Sequence, residues 1–233
     1  HDLLEKEGVD LQLIKFTSGP AAFQALQSGG IDAAQGALPA YYMASTRGLE
    51  ARWVYSYGDY SPLEGLVVPK DSKVRDFKDL RGKKVTAPSG SILHLAHLYS
   101  LQKAGMTVKD VEFVPLQPPQ ALAAVFNNDV DAAWFWDPFI SQALEKGAQR
   151  VVVNKALGLP DPFGIAVNAK FLGEKQNLEA LGRMLRAFRE GQRRFEKDPE
   201  PTLAAIKAAT GIERPLAMQL IKGTDWFTLE NQI

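Results

Sequence analysis

Apolar and polar positions follow one pattern twice along the chain. Pro20-Ala21-Ala22-Phe23-Gln24-Ala25-Leu26 runs on to Ile31-Asp32-Ala33-Ala34 and Pro39, and Pro119-Gln120-Ala121-Leu122-Ala123-Ala124-Val125 runs on to Val130-Asp131-Ala132-Ala133 and Pro138. Pro20/Pro119, Ala22/Ala121, Ala25/Ala124, Asp32/Asp131, Ala33/Ala132, Ala34/Ala133 and Pro39/Pro138 share an offset of 99 without a gap, so the chain holds an internal repeat. Each copy predicts the same elements. A short β-branched run, residues 11–16 or 111–115, predicts a strand. A proline in the first turn opens a helix where its missing N–H costs nothing. Ser28-Gly29-Gly30 or Asn127-Asn128-Asp129, residues that tolerate left-handed or turn geometry, end it. A second strand follows at residues 31–34 or 130–135. A strand, helix, strand unit calls for a parallel pair with a right-handed crossover. Two such units predict two α/β lobes of similar build across a cleft.

The remaining pattern fits that frame. Residues 65–69 and 83–87 read as buried-type strands, with a short helix over 74–82 between them. Residues 92–103 read as a helix closed by Ala104-Gly105, and 163–168 as a returning strand. Residues 178–197, 201–210 and 215–222 carry apolar positions at helical spacing. The fold class expected is therefore α/β, a two-lobed fold of mixed sheets flanked by helices. Lobe I would comprise residues 1–66 and 165–233, and lobe II residues 67–164. The chain then crosses between lobes twice, which makes a hinge.

Composition narrows the function. A chain of 233 residues that is 45% hydrophobic can bury a core. Its 27 basic and 27 acidic residues leave a net charge of +0, with no basic stripe, so no nucleic-acid partner is expected. No apolar run approaches the roughly 18 residues that span a bilayer. Cysteine is absent, which removes thiolate nucleophiles, disulfides and Cys-ligated metals. The first eight residues form neither a basic nor an apolar leader segment, yet the chain opens and closes within helix-like patterns. Both termini are expected to be incomplete.

Candidate chemistry sits at the turns. Ser89-Gly90-Ser91 lies between a strand and a helix, so the N–H groups of Ser91, Ile92 and Leu93 would face an anion, unless the turn is a plain cap. Ser18-Gly19-Pro20 supplies a comparable turn in the other copy. Asp137 follows a strand and precedes Pro138, which suits a helix cap, a ligand contact or both. Glu64 is either a hinge-surface carboxylate or a partner for a ligand cation, and Asp59 shares its loop with Tyr60. Trp134 and Trp136 point the same way along a strand. Both suit a core, and Trp136 beside Asp137 could also cover an aliphatic or ammonium group. His94 and His97 have metal-ligand spacing, but with His1 the only other histidine no metal site is expected. His94 better suits an anion donor or the lobe interface. The Arg183 to Arg194 basic stretch reads as a solvated helix face, and no catalytic triad, nucleophile elbow or phosphate loop is present.

Ser18-Gly19-Pro20, residues 76–82 before Lys83-Lys84-Val85, Ser89-Gly90-Ser91 before His94, and residues 132–138 resemble the type II periplasmic solute-binding proteins of the nitrate, sulfonate and taurine group. Leu116-Gln117-Pro118-Pro119 and Leu63-Glu64-Gly65-Leu66-Val67-Val68 are most similar to its taurine-binding branch. The resemblance covers essentially the whole chain. It implies that an amino-terminal strand and a carboxy-terminal helical region of the family are missing here. It also implies an anionic sulfonate or carboxylate near residues 89–94, and Glu64 near a ligand amine. Leu38, Gln117 and Pro118 complete the expected ligand-binding set. Two departures stand out. Ile92 and Leu93 are apolar where relatives carry hydroxyls, and a carboxylate of taurine binders falls near Phe163, with Asp161 displaced by two. Either amine recognition has moved to Asp137 or the ligand is not taurine.

The function implied is the binding component of an ABC importer that closes on a small organic anion and delivers it to a membrane permease. It would be a periplasmic or lipid-anchored monomer without cofactor. The alternative is an enzyme on the same fold, like the pyrimidine-forming or desulfinating relatives. Those use cysteine, which this chain lacks.

Overall fold

Two sheets divide the chain in the computed structural model, which describes residues 2–227. The strands are β1 (Ala33–Ala37), β2 (Ala51–Asp59), β3 (Glu64–Val68), β4 (Lys84–Thr86), β5 (Glu112–Val114), β6 (Ala132–Trp136), β7 (Gln149–Val153), β8 (Pro162–Asn168) and β9 (Asp225–Trp226). The helices are α1 (Asp2–Lys6), α2 (Gly19–Gln27), α3 (Leu38–Ser45), α4 (Ile92–Lys103), α5 (Pro118–Phe126), α6 (Phe139–Glu145), α7 (Ala169–Leu172), α8 (Lys175–Lys197), α9 (Glu200–Thr210) and α10 (Arg214–Gly223). The first sheet runs β1-β8-β2-β9 and is antiparallel throughout. The second runs β5-β4-β6-β3-β7, with β5, β4 and β6 mutually parallel.

The repeat holds at the level of whole elements. Helices α2 and α5, and strands β1 and β6, have bounds separated by the same 99 positions. Gly29 and Asn128, again 99 apart, both take positive φ, 75° and 59°, where the helix must turn back.

Alternation along the strands builds a core on each face of each sheet. Leu66, Val85 and Trp134 pack with Leu93 of α4. Val67 and Phe135 face the other way, onto Val125 of α5 and Ile140 of α6. In the first sheet Ala34 and Ala166 meet Phe23 and Leu26 of α2, while Ile165 and Val167 meet Met184 of α8. Strands covered on both faces read as continuous apolar runs, which is how β3, β6 and β8 appear in the sequence.

Three expectations need correction. Residues 11–16 form no strand; Leu13 is 75% exposed and Ile14 and Phe16 are exposed too. Their counterpart β5 is held by parallel pairing with β4, whereas residues 11–16 pair with no strand among the described residues. Strands β5 and β6 are parallel but not neighbours, because β4 lies between them. Residues 74–82 give only a 3-10 turn over Phe77–Leu80. The Asp79 carboxylate takes the backbone N–H groups of Arg75 and Asp76 at 2.9 and 3.1 Å, and so fixes a tight local turn.

The chain passes from the first sheet to the second through residues 60–63 and returns through residues 154–161. The anticipated division at 66/67 and 164/165 falls inside β3 and β8, which pair wholly within the second and first sheets respectively. We propose that the lobes part in the two connections instead.

Candidate ligand-binding site

Strand direction alone gathers most of the candidate residues. Because β5, β4 and β6 are parallel, the turns that leave them open on one edge of the second sheet. These turns carry Gln117-Pro118, Ser89-Gly90-Ser91 and Trp136-Asp137. Antiparallel β3 starts at that edge, with Glu64 opposite Trp136. In the first sheet Ala37 at the end of β1 and Gly58 near the end of β2 both pair with Phe163 at the start of β8. Leu38 follows there, half-buried, and Gly19 packs over Gly36 and Ala37. Both edges border the hinge connections.

A cavity of about 680 Å³ joins the two edges at one point. Trp136 of the second lobe lines it together with Ser18, Gly19, Gln35 and Phe163 of the first, and the rest of the lining is mixed, with Ile165, Val167, Leu181 and Met184 beside Asp10 and Asp32. Trp134 lies in the core, completely buried, so the two tryptophans divide the roles open to them. Ser89-Gly90-Ser91, His94 and Gln117 lie outside that lining, on the neighbouring turns.

The turn before α4 is more self-contained than expected. Ser91 caps the helix, its Oγ accepting from the His94 N–H at 3.3 Å and donating to the Pro88 carbonyl at 2.7 Å. The Ser91 N–H also turns back to Pro88, at 3.3 Å, which leaves Ile92 and Leu93 to offer backbone donors. Gly90 is required by its φ of 74° rather than by close approach, since nothing lies within 4 Å of where a Cβ would be. His94 keeps only its Nε2 side for an anion. Its Nδ1 accepts from the Gly90 N–H at 3.5 Å, and its ring stacks on Phe113 at 4.7 Å, with His97 on the same ring at 5.1 Å. Burial lowers the pKa of His94, and that of His97 to about 4. Among the described residues no group of side chains could hold a metal.

The carboxylates also have local work. Asp137 Oδ1 accepts from the Ser141 N–H at 2.9 Å and the Ser141 hydroxyl at 2.6 Å, which ties down the first turn of α6. Glu64, only 2% exposed, accepts from Asn154 Nδ2 at 2.8 Å and faces Asp161, itself 0% exposed. Burial is the main cause that raises the pKa of both carboxyl groups. Asp59 Oδ1 accepts the backbone N–H groups of Ser61 and Asp161, each at 2.9 Å. Sequence reasoning placed Glu64 and Asp59 at the hinge but missed Asn154 as the partner of Glu64, because a lone asparagine in a short turn carries no signal of burial.

Comparison with known proteins adds a family. Residues 2–202 match the sequence profile described as NMT1/THI5 like. A protein of Bacillus subtilis named for binding aliphatic sulfonates is 28% identical over 188 residues, 80% of this chain and 56% of that one. One of the same description from Escherichia coli is 30% identical over 220 residues, 93% of this chain and 68% of that one. The taurine-binding periplasmic protein of Escherichia coli is 24% identical over 98% of this chain and 72% of its own length. The crystal structure of the periplasmic aliphatic sulphonate binding protein SsuA from Escherichia coli superposes with a TM-score of 0.81 at 25% identity, covering 99% of this chain and 81% of that one. The chain thus spans between about half and three quarters of the curated relatives it matches.

Proposed function

The chain belongs to the NMT1/THI5-like family, and from that premise we propose that it is the solute-capturing component of an ABC importer, binding a small aliphatic sulfonate between its lobes. The supporting observation is the cavity in which Trp136 of one lobe meets Ser18, Gly19 and Phe163 of the other. A ligand seated there touches both lobes only when they are shut, so binding selects the closed form, which then docks to a membrane permease from the periplasmic side. The head group is held by helix starts. The N-terminus of α2, which lines the cavity, favours an anion by about 0.3 to 2 kcal/mol without a side-chain cation, and the Ile92 and Leu93 donors of α4, on a neighbouring turn outside that lining, reach it only as the lobes close. No step asks for a nucleophile, and the reading is of a binding protein rather than an enzyme.

We propose alkanesulfonates rather than aminosulfonates as ligands. Of the carboxylates beside the site, Glu64 is sealed behind Asn154 and Asp161 and does not line the cavity, and one Asp137 oxygen is committed to Ser141; Asp10 and Asp32 line the cavity from the first lobe. The side chains of Ile165, Val167, Leu181 and Met184 in the lining suit an aliphatic tail. Ethanesulfonate at about 100 times its Kd is expected to raise Tm by about 5–10 °C, with taurine bound no more tightly. Asp137→Asn should change calorimetric affinity for both ligands equally. A selective loss of taurine would hand Asp137 the amine, and a screen in which no alkanesulfonate shifts Tm would remove the sulfonate reading.

A further inference from the structure

The hinge holds a group of acids that ligand capture does not use. Glu64 is the first residue of β3, where the outgoing connection enters the second lobe, and Asp161 is the last residue before β8, where the returning one leaves it. Both are buried, and the two carboxylate oxygens of Asp161 meet no donor. The group they face is the Glu64 carboxyl, which has Asn154 on its other side. Two ionised carboxylates cannot share such a place, whereas a proton between them supplies the missing donor and a short, charge-assisted hydrogen bond.

We propose that the hinge is a proton-operated latch, in which one proton shared by the Glu64 and Asp161 carboxyl groups ties the outgoing connection to the returning one, and its loss frees the lobes to turn. The inference rests on the reading that the lobes move about residues 60–63 and 154–161.

The surroundings reinforce the latch. Asp59 joins the same two connections through Ser61 and Asp161, and the Tyr60 N–H donates to the Asp161 carbonyl at 3.0 Å. The titratable groups around the pair are Asp59 and Tyr57 from β2, Tyr60 from the outgoing connection and Lys155 from the returning one. Burial keeps both tyrosines neutral. Lys155 turns outward to Asp225 at 2.7 Å. Among the described residues no cation is paired with Glu64 or Asp161, so nothing replaces the proton once it leaves.

The sign follows. Both carboxyl groups bind protons more tightly folded than unfolded, Asp161 being pushed up to about 7 by burial. Their contribution is complete below the ordinary carboxylate range and fades as pH rises through the pair's own range.

The test uses ligand-free protein, so it does not depend on the sulfonate reading. Between about pH 5 and pH 7 the unfolding constant of the wild type should rise relative to Asp161→Asn, by up to about tenfold per pH unit. Glu64→Gln should give the same relation. Spin labels at Tyr42 on α3 and Leu95 on α4, 67% and 46% exposed, report the distance between lobes. Their distance distribution should broaden from about pH 5 to about pH 8 in the wild type and stay fixed in the amide variants. Parallel stability profiles in wild type and variants, or a stability difference with no change in distance, would overturn the latch. Should both variants fail to fold, the infrared carbonyl band of a protonated carboxylic acid in the wild type must vanish over the same pH range as the labels move apart, and its absence overturns the proposal.

Discussion

Gly65→Ala and Gly164→Ala are each expected to cost about 3 kcal/mol or more, enough to leave little folded protein. A Cβ on Gly65 would overlap the Val152 carbonyl of the neighbouring strand, and one on Gly164 would overlap the Tyr55 carbonyl and crowd the Trp53 ring. The nearest atoms are strand carbonyls, which cannot swing aside. Both glycines sit beside irregularities in the ladder. The β3–β7 register shifts between Leu66 and Val67, and the β2–β8 register shifts between Trp53 and Tyr55 and again between Ser56 and Gly58. A bulge brings two backbones close, and only a residue without a side chain fits under it. Gly30→Ala is the control, because its nearest neighbours would lie at 3.5 Å or more and its φ is ordinary. Urea denaturation followed by circular dichroism reads all three. A Gly164→Ala midpoint equal to that of Gly30→Ala would mean that β2 and β8 do not pair as described.

Phe23→Ala is expected to cost about 3–5 kcal/mol, the range for emptying a buried aromatic site. The ring is 0% exposed, lies edge-on to Tyr41 at 5.9 Å, and fills the space over Gly36, where a Cβ would come within 2.8 Å of it. Gly36 has no side chain to fill the void the ring would leave over β1. Calorimetric unfolding should show the loss. A change below about 1 kcal/mol would mean that α2 does not pack on β1 as described.

The repeat was legible because its pattern is local and doubled. Helices α2, α4 and α5 and the strands β3, β4, β6 and β8 follow from apolar period, proline at helix starts and glycine or asparagine at helix ends. Residues 11–16 carry the same strand pattern as β5 yet lie unpaired, because a strand is stabilised by its neighbour and not by its own composition. Sheet order was equally invisible, since β4 enters between β5 and β6 from an earlier part of the chain. The candidate site was legible as a list of turns at strand ends. What each side chain does there was not. The pattern gives no sign that His94 stacks on Phe113, and Glu64 reads as a hinge-surface carboxylate or a ligand partner until Asn154 and Asp161 close over it from some ninety positions away.

Interlobe distance on binding tests the central claim most directly. The chain contains no cysteine, so labels on Tyr42→Cys and Leu95→Cys are the only ones attached. Electron–electron resonance at constant pH should give a shorter and narrower distance distribution when ethanesulfonate is added to saturation. An unchanged distribution, at a concentration where calorimetry shows the ligand bound, would contradict capture by closure of the two lobes.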